Sequence, residues 1–205
     1  FRNDTEVHVV AKAKSEEYGF EYGATIEFEA DTNSTNNTDE SWLFVRGGWG
    51  EVRLGDEDGV TDNSSVGAQT IAAGTGGIDG SDAVIMAAPV VFLTNTNDAT
   101  KIRYYTPSFG GFSVGASYTP TQETVDSGAN NGQFFARKNG ANAMDAKNIF
   151  EGAFVYKGDL GGVNVLASVV GLYGKLKNDA EGSIASGGFG GSDWWGVQGG
   201  ATVDL

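Results

Sequence analysis

The chain has 205 residues, a formal net charge of −14 and a sequence pI near 4.3, with 32 glycines, 3 prolines and no cysteine. The acidic balance excludes nucleic acid as a partner, because phosphate recognition needs a basic stripe, and the lack of cysteine excludes thiolate catalysis, zinc–thiolate centres and disulfides. No apolar run reaches the roughly 18 residues that a transmembrane helix requires, which leaves a membrane-crossing β-barrel open, since barrel strands alternate and are never continuously apolar.

Period-two alternation begins at Glu6 to Lys14, with no basic-then-apolar leader ahead of it, so any signal peptide is expected to lie outside this sequence. The next segment alternates most regularly: Phe20, Tyr22, Ala24, Ile26, Phe28 and Ala30 share one face, and Glu21, Gly23, Thr25, Glu27 and Glu29 the other. Its length matches the roughly 9–11 residues of a strand crossing a bilayer at about 45°, against about 5–6 for a strand of a soluble sheet. Further strands are predicted at Trp42 to Gly48, Glu51 to Asp56, Lys101 to Tyr105, Phe112 to Tyr118, Ile149 to Lys157, Val163 to Tyr173 and Trp194 to Asp204, about nine in all.

The connections alternate in length. Short turns fall at Ser15–Glu17, Gly47–Gly50, Thr106–Gly111 and Gly158–Gly162, whereas long polar connections fill Asp31–Ser41, Glu57–Thr100, Thr119–Asn148 and Gly174–Asp193. Long loops at one end and short turns at the other are an outer-membrane barrel trait that a soluble sandwich has no reason to share. Tyr18, Trp42, Trp49, Tyr104, Tyr105, Tyr118, Tyr156, Tyr173, Trp194 and Trp195 stand near strand ends, where amphipathic rings rest at membrane–water boundaries. Packing in a soluble core is the plain alternative for these rings.

Two motifs carry a family resemblance. The stretch Trp49-Gly-Glu-Val-Arg-Leu-Gly-Asp56 resembles the strand before the constriction loop of Gram-negative general porins, and Lys101-Ile-Arg-Tyr-Tyr-Thr-Pro-Ser-Phe-Gly-Gly-Phe112 resembles a porin hairpin in which a strand ends in an aromatic, then Pro, then a Phe-Gly turn. The resemblance implies an all-β, antiparallel transmembrane barrel of the 16-stranded porin type in the bacterial outer membrane, a homotrimer in contact with lipid and lipopolysaccharide that passes small hydrophilic solutes. This chain would supply only part of such a barrel, as a single domain spanning 1–205, with 57–100 as a constriction loop folded inward.

A channel of this kind needs no covalent chemistry and no cofactor; it needs a polar lumen and charges at a constriction. No basic residue lies between Arg53 and Lys101, while that interval carries Asp56, Glu57, Asp58, Asp62, Asp79, Asp82 and Asp98. Arg53, Lys101 and Arg103 alternate with Val52, Leu54, Ile102 and Tyr104, so they should face away from lipid, where a mid-depth charge costs about 2–4 kcal/mol. We therefore expect a transverse field between a basic wall (Arg53, Lys101, Arg103, Lys12, Lys14 and Arg46) and an acidic loop (Asp56, Glu57, Asp58, Asp62, Asp79 and Asp82). Arg46 shares the parity of Trp42 and Phe44, which suits snorkelling at a rim. The plain alternative is that the acids solvate an external loop.

Three other features bear on function. The apolar run Ala83 to Leu93, capped by Ser81 or Asp82, is expected to pack the loop on the wall. Asp56, Asp58, Asp62, Asp79 and Asp82 place oxygen ligands in glycine-rich turns, which suits calcium. Enzyme readings lack material: His8 is the one histidine, and Glu27 with Glu29 suits a wet face as well as a glycosidase pair. The competing function is a soluble or surface-displayed β-rich carbohydrate-binding or adhesin module.

Overall fold

The computed structural model describes residues 5–30, 38–66, 96, 98–122, 146–176 and 193–204. Its nine strands are β1 (Glu6–Ser15), β2 (Phe20–Glu29), β3 (Thr38–Gly47), β4 (Gly50–Asp56), β5 (Thr100–Tyr105), β6 (Phe112–Gln122), β7 (Ala146–Asp159), β8 (Asn164–Leu176) and β9 (Asp193–Asp204). They form one sheet in the order of the chain, and every neighbouring pair is antiparallel. The sheet is open, with one side of β1 and one side of β9 unpaired among the described residues. Each predicted strand is present. Several run past their predicted ends, as β3 does through Thr38, Asp39 and Glu40, because ladder pairing such as Phe28 with Thr38 continues where apolar alternation has stopped.

Tight turns join β1 to β2, β3 to β4, β5 to β6 and β7 to β8 at one end of the sheet. The β5–β6 turn closes on a Phe109–Phe112 bridge and reverses through Gly110 and Gly111 at φ 58° and 87°, left-handed values that side chains resist. The long connections all leave from the opposite end, a consequence of strict strand alternation.

The sheet has two unlike faces. Leu43, Leu54, Ile102, Phe154, Val169 and Val197 look out from one, each roughly half exposed or more, with Leu54 at 53%. A soluble sandwich would bury such a face under a second sheet; a continuous exposed apolar face is stable against lipid. The other face is polar and carries the tightest packing. There α1 (Val60–Ser64), a single turn that the sequence did not announce, lies against β6, β7 and β8. Val60 is fully buried and packs with Ala153 and Val170, flanked by Tyr105 and Val155. The apolar run at 83–93 and its expected cap lie outside the described residues.

Candidate functional site

Strand register lines up the polar face in rows. One row runs Lys12, Gly23, Phe44, Arg53, Arg103, Ser117 and Glu151; the next, nearer the tight turns, runs Lys14, Glu21, Arg46, Glu51, Tyr105, Gly115 and Ala153. Gly23 leaves the space that the Phe44 ring fills, since a Cβ there would strike both that ring and the Ala11 carbonyl. The result is a ladder of alternating charge. Arg46 pairs with Glu21 and reaches Glu51 at 3.5 Å, and Arg53 Nε donates to Glu51 at 2.6 Å. The guanidiniums also lie over rings, Arg46 over Phe44 at 5.2 Å, Arg53 over Trp42 at 5.0 Å and Arg103 over Tyr105 at 5.4 Å.

Arg46 therefore lies on the polar face, one residue from the end of β3. Trp42 and Tyr105 also face this side instead of a membrane boundary, Trp42 beneath Arg53 and Tyr105 sharing a 2.7 Å hydrogen bond with Ser64. Lys12 and Lys14 share the face on the edge strand β1 and are exposed, Lys14 pairing with Glu16 at 3.0 Å.

The segment that follows β4 turns in across this face. Glu57, 1% exposed, receives Arg103 Nη2 at 2.8 Å and Arg53 Nη1 at 3.3 Å on one carboxylate oxygen. Arg103 Nη1 donates to the Asp58 carbonyl at 3.0 Å, and Lys101 Nζ donates to the Glu57 carbonyl. Lys101 is thus no open wall cation: it is 1% exposed, shut beneath the segment it holds. Burial raises the Glu57 carboxyl pKa, with Arg103, Arg53 and Lys101 pulling the other way.

Further along, Val60 N–H and the Thr61 hydroxyl donate to the Glu151 carboxylate, and Val66 N–H donates to Ser168 Oγ at 3.1 Å. The limb 57–66 accordingly crosses from β4 to β8. Below it a pocket opens between Arg53, Arg103, Tyr105, Asn63, Ser64 and Ser65 on its polar side and Val66, Val155 and Leu166 on its apolar side.

Acids gather at the end of the long connections. The carboxylates of Glu40, Asp58 and Asp98 converge within 4.8 Å of one another, Asp58 N–H donates to Glu40 Oε1 at 3.0 Å, and Asp62 hydrogen-bonds Asp58. Burial, reinforced by Asp62 and then Glu40 and Asp98, lifts Asp58 to about 8. Burial, with the charge of Asp39, lifts Asp98 to about 6. Asp56 does not join them. It ends β4 on the side of Leu54 and accepts a bond from Thr100, because alternation sends it away from its neighbours in sequence. The calcium set therefore differs from the sequence reading: Asp58 and Asp62 meet Glu40 and Asp98, Asp56 is elsewhere, and Asp79 and Asp82 lie outside the described residues. His8 sits between Glu6 at 2.9 Å and Glu27 at 2.8 Å on β1 and β2, with no hydroxyl nucleophile beside it among the described contacts.

Sequence reasoning missed Glu40, Glu51 and Glu151. Glu151 was findable, because a lone carboxylate between Phe150 and Gly152 in a lipid-length strand has to face the polar side. The arrangement can attract and sort ions and hold a polar segment across the sheet; among the described residues it assembles no nucleophile, base and oxyanion donor. A family model described as Gram-negative porin matches residues 2–204. No curated protein matches the chain.

Proposed function

This chain belongs to the Gram-negative porin family and so to the bacterial outer membrane, and from that premise we propose that it lines a water-filled general-diffusion channel for small hydrophilic solutes and ions, assembled as a homotrimer, without enzymatic activity. The observation that carries the reading is the limb 57–66, which leaves the end of β4 and lies across the polar face, where Arg53 and Arg103 receive Glu57. A segment so placed narrows the lumen and sets charge at its narrowest part. Arg46, Arg53 and Arg103 stand on the wall paired with Glu21, Glu51 and Glu57, while Glu40, Asp58 and Asp98 gather toward the long-connection end and leave that end acidic. Lipid and lipopolysaccharide would meet the apolar face.

Conductance of the detergent-extracted protein across a planar bilayer, in a salt gradient, tests this. Large ohmic steps in threes with a defined reversal potential are expected. A silent membrane with folded protein would overturn the channel and favour the carbohydrate-binding or adhesin module.

Calcium is a second reading, favoured by the convergence of Glu40, Asp58 and Asp98 on one point with only oxygen ligands. It predicts a melting temperature raised by calcium at neutral pH and insensitive to calcium in Asp58→Asn; melting that calcium does not move in either protein removes it.

A further inference from the structure

Glu151 stands in the middle of β7, 4% exposed, and every group it meets is a donor. Its Oε2 accepts from Val60 N–H at 2.9 Å and from the Ser117 hydroxyl; its Oε1 accepts from the Thr61 hydroxyl at 2.7 Å and from the Thr96 hydroxyl at 3.2 Å. Val60 and Thr61 belong to the limb that leaves β4, and Thr96 to the limb that returns to β5. One carboxylate thus ties both limbs of the 57–99 connection to the wall, on a strand to which, among the described residues, neither limb is bonded by backbone pairing. Gly59 lets the chain come this close, because a Cβ there would strike the Glu151 carboxylate.

We propose that Glu151 is the positioning residue that fixes the width of the channel, by clipping the two limbs of the loop neck against β7. The channel itself rests on the porin reading; the clip rests on the contacts alone. A carboxylate suits this place because it only accepts, so it takes all four donors without conflict. An amide of the same size would turn an N–H toward one of them, most damagingly toward Val60 N–H, which cannot reverse its role as a hydroxyl can. Charge-assisted bonds to a buried carboxylate are also the stronger kind, and the charge of buried Lys101 acts on Glu151 as well.

The test uses the full chain, which contains no cysteine. Val60→Cys places a thiol where exposure is now 0%. With a membrane-impermeant thiol reagent, the rate at that thiol should rise roughly tenfold or more when Glu151→Ala is added, because modification follows the open fraction of the neck. Glu151→Gln should fall between, and it carries the comparison where Glu151→Ala does not fold. In bilayers the two Glu151 variants should show higher conductance and more low-frequency current noise, while Val66→Cys with Ser168→Cys, oxidised, should return Glu151→Ala toward the parent values. A merely structural role would not give rescue by a tether on β8.

An unchanged thiol rate overturns the clip. A raised rate with unchanged conductance, noise and solute size limit overturns the control of width. A parent protein that does not conduct overturns the porin reading, and the thiol rates still decide the clip.

Discussion

Arg53 and Arg103 stand opposite each other in the β4–β5 register and share Glu57, yet their surroundings make them different instruments. Arg103 is 5% exposed and Arg53 26% on the side chain. Replacing Arg103 by Gln removes the shorter partner of a buried carboxylate, and breaking a buried pair costs about 3–5 kcal/mol, so a clear drop in the urea midpoint is expected. Replacing Arg53 by Gln should spare stability and move the reversal potential toward cation preference; an unmoved potential would take Arg53 out of the field that ions feel. The alternation around these residues made their side of the sheet readable from sequence. Their shared acceptor was not readable, because it depends on how residues 57–66 come back over the sheet.

Asp58 and Asp98 add a pH dependence at the same scale. Their folded pKa values, about 8 and about 6, lie above the ordinary aspartate value of 3.8. The folded state therefore keeps protons that the unfolded chain has released, so their contribution to stability is full below about pH 4 and declines as pH rises through 6 and 8. Asp58→Asn should flatten that decline. The same protonation should weaken cation preference as pH falls from 8 to 5, and the double change Asp58→Asn with Asp98→Asn should reduce the pH dependence of the reversal potential in that range. A potential that tracks pH equally in both proteins would assign the titration to other groups.

Strands and the segment across them were legible to unequal degrees. A strand announces itself through local alternation, and all nine did; their overhanging ends, such as Thr38 to Ser41 of β3, did not, because only pairing extends them. The α1 turn gave no signal, since Val60-Thr-Asp-Asn-Ser64 has no helical period, and its free N–H and hydroxyl groups are met by Glu151, distant in sequence. Asp56 was counted with the acidic loop although the predicted strand Glu51 to Asp56 already ended on it; alternation along β4 sends it to the side of Leu54, where it pairs with Thr100. The two-faced strand makes a prediction of its own. Leu54→Arg places a charge on the apolar face and should lower stability in lipid vesicles by about 2–4 kcal/mol, while Ser113→Arg on the polar face should change it little. Equal losses would mean that the apolar face is not what lipid touches.

At the scale of the whole sheet, sequential antiparallel order has a consequence that no single strand reveals. Among the nine described strands, β1 and β9 run in the same direction, so joining them directly would give a parallel pair in an otherwise antiparallel ladder. A barrel closed with antiparallel neighbours throughout requires an odd number of further strands between those two edges, and exposed edges are not tolerated within the hydrocarbon layer. The same alternation sends all four tight turns to one side of the membrane and all four long connections to the other. The acids Glu40, Asp58 and Asp98 stand at the long-connection end, so orientation decides which solution meets them first. In an outer-membrane barrel the long connections face outward, and entering solutes would pass the acidic cluster before the arginines. Single cysteines decide this cleanly in a protein that has none. On intact cells an impermeant thiol reagent should label Gln133→Cys and Ser183→Cys, in two long connections, and leave Gly48→Cys and Ser108→Cys, in two tight turns, unlabelled until the outer membrane is breached. The reverse pattern would invert the axis of the charge separation, placing the acids at the exit and the Lys14–Arg46 row at the entrance.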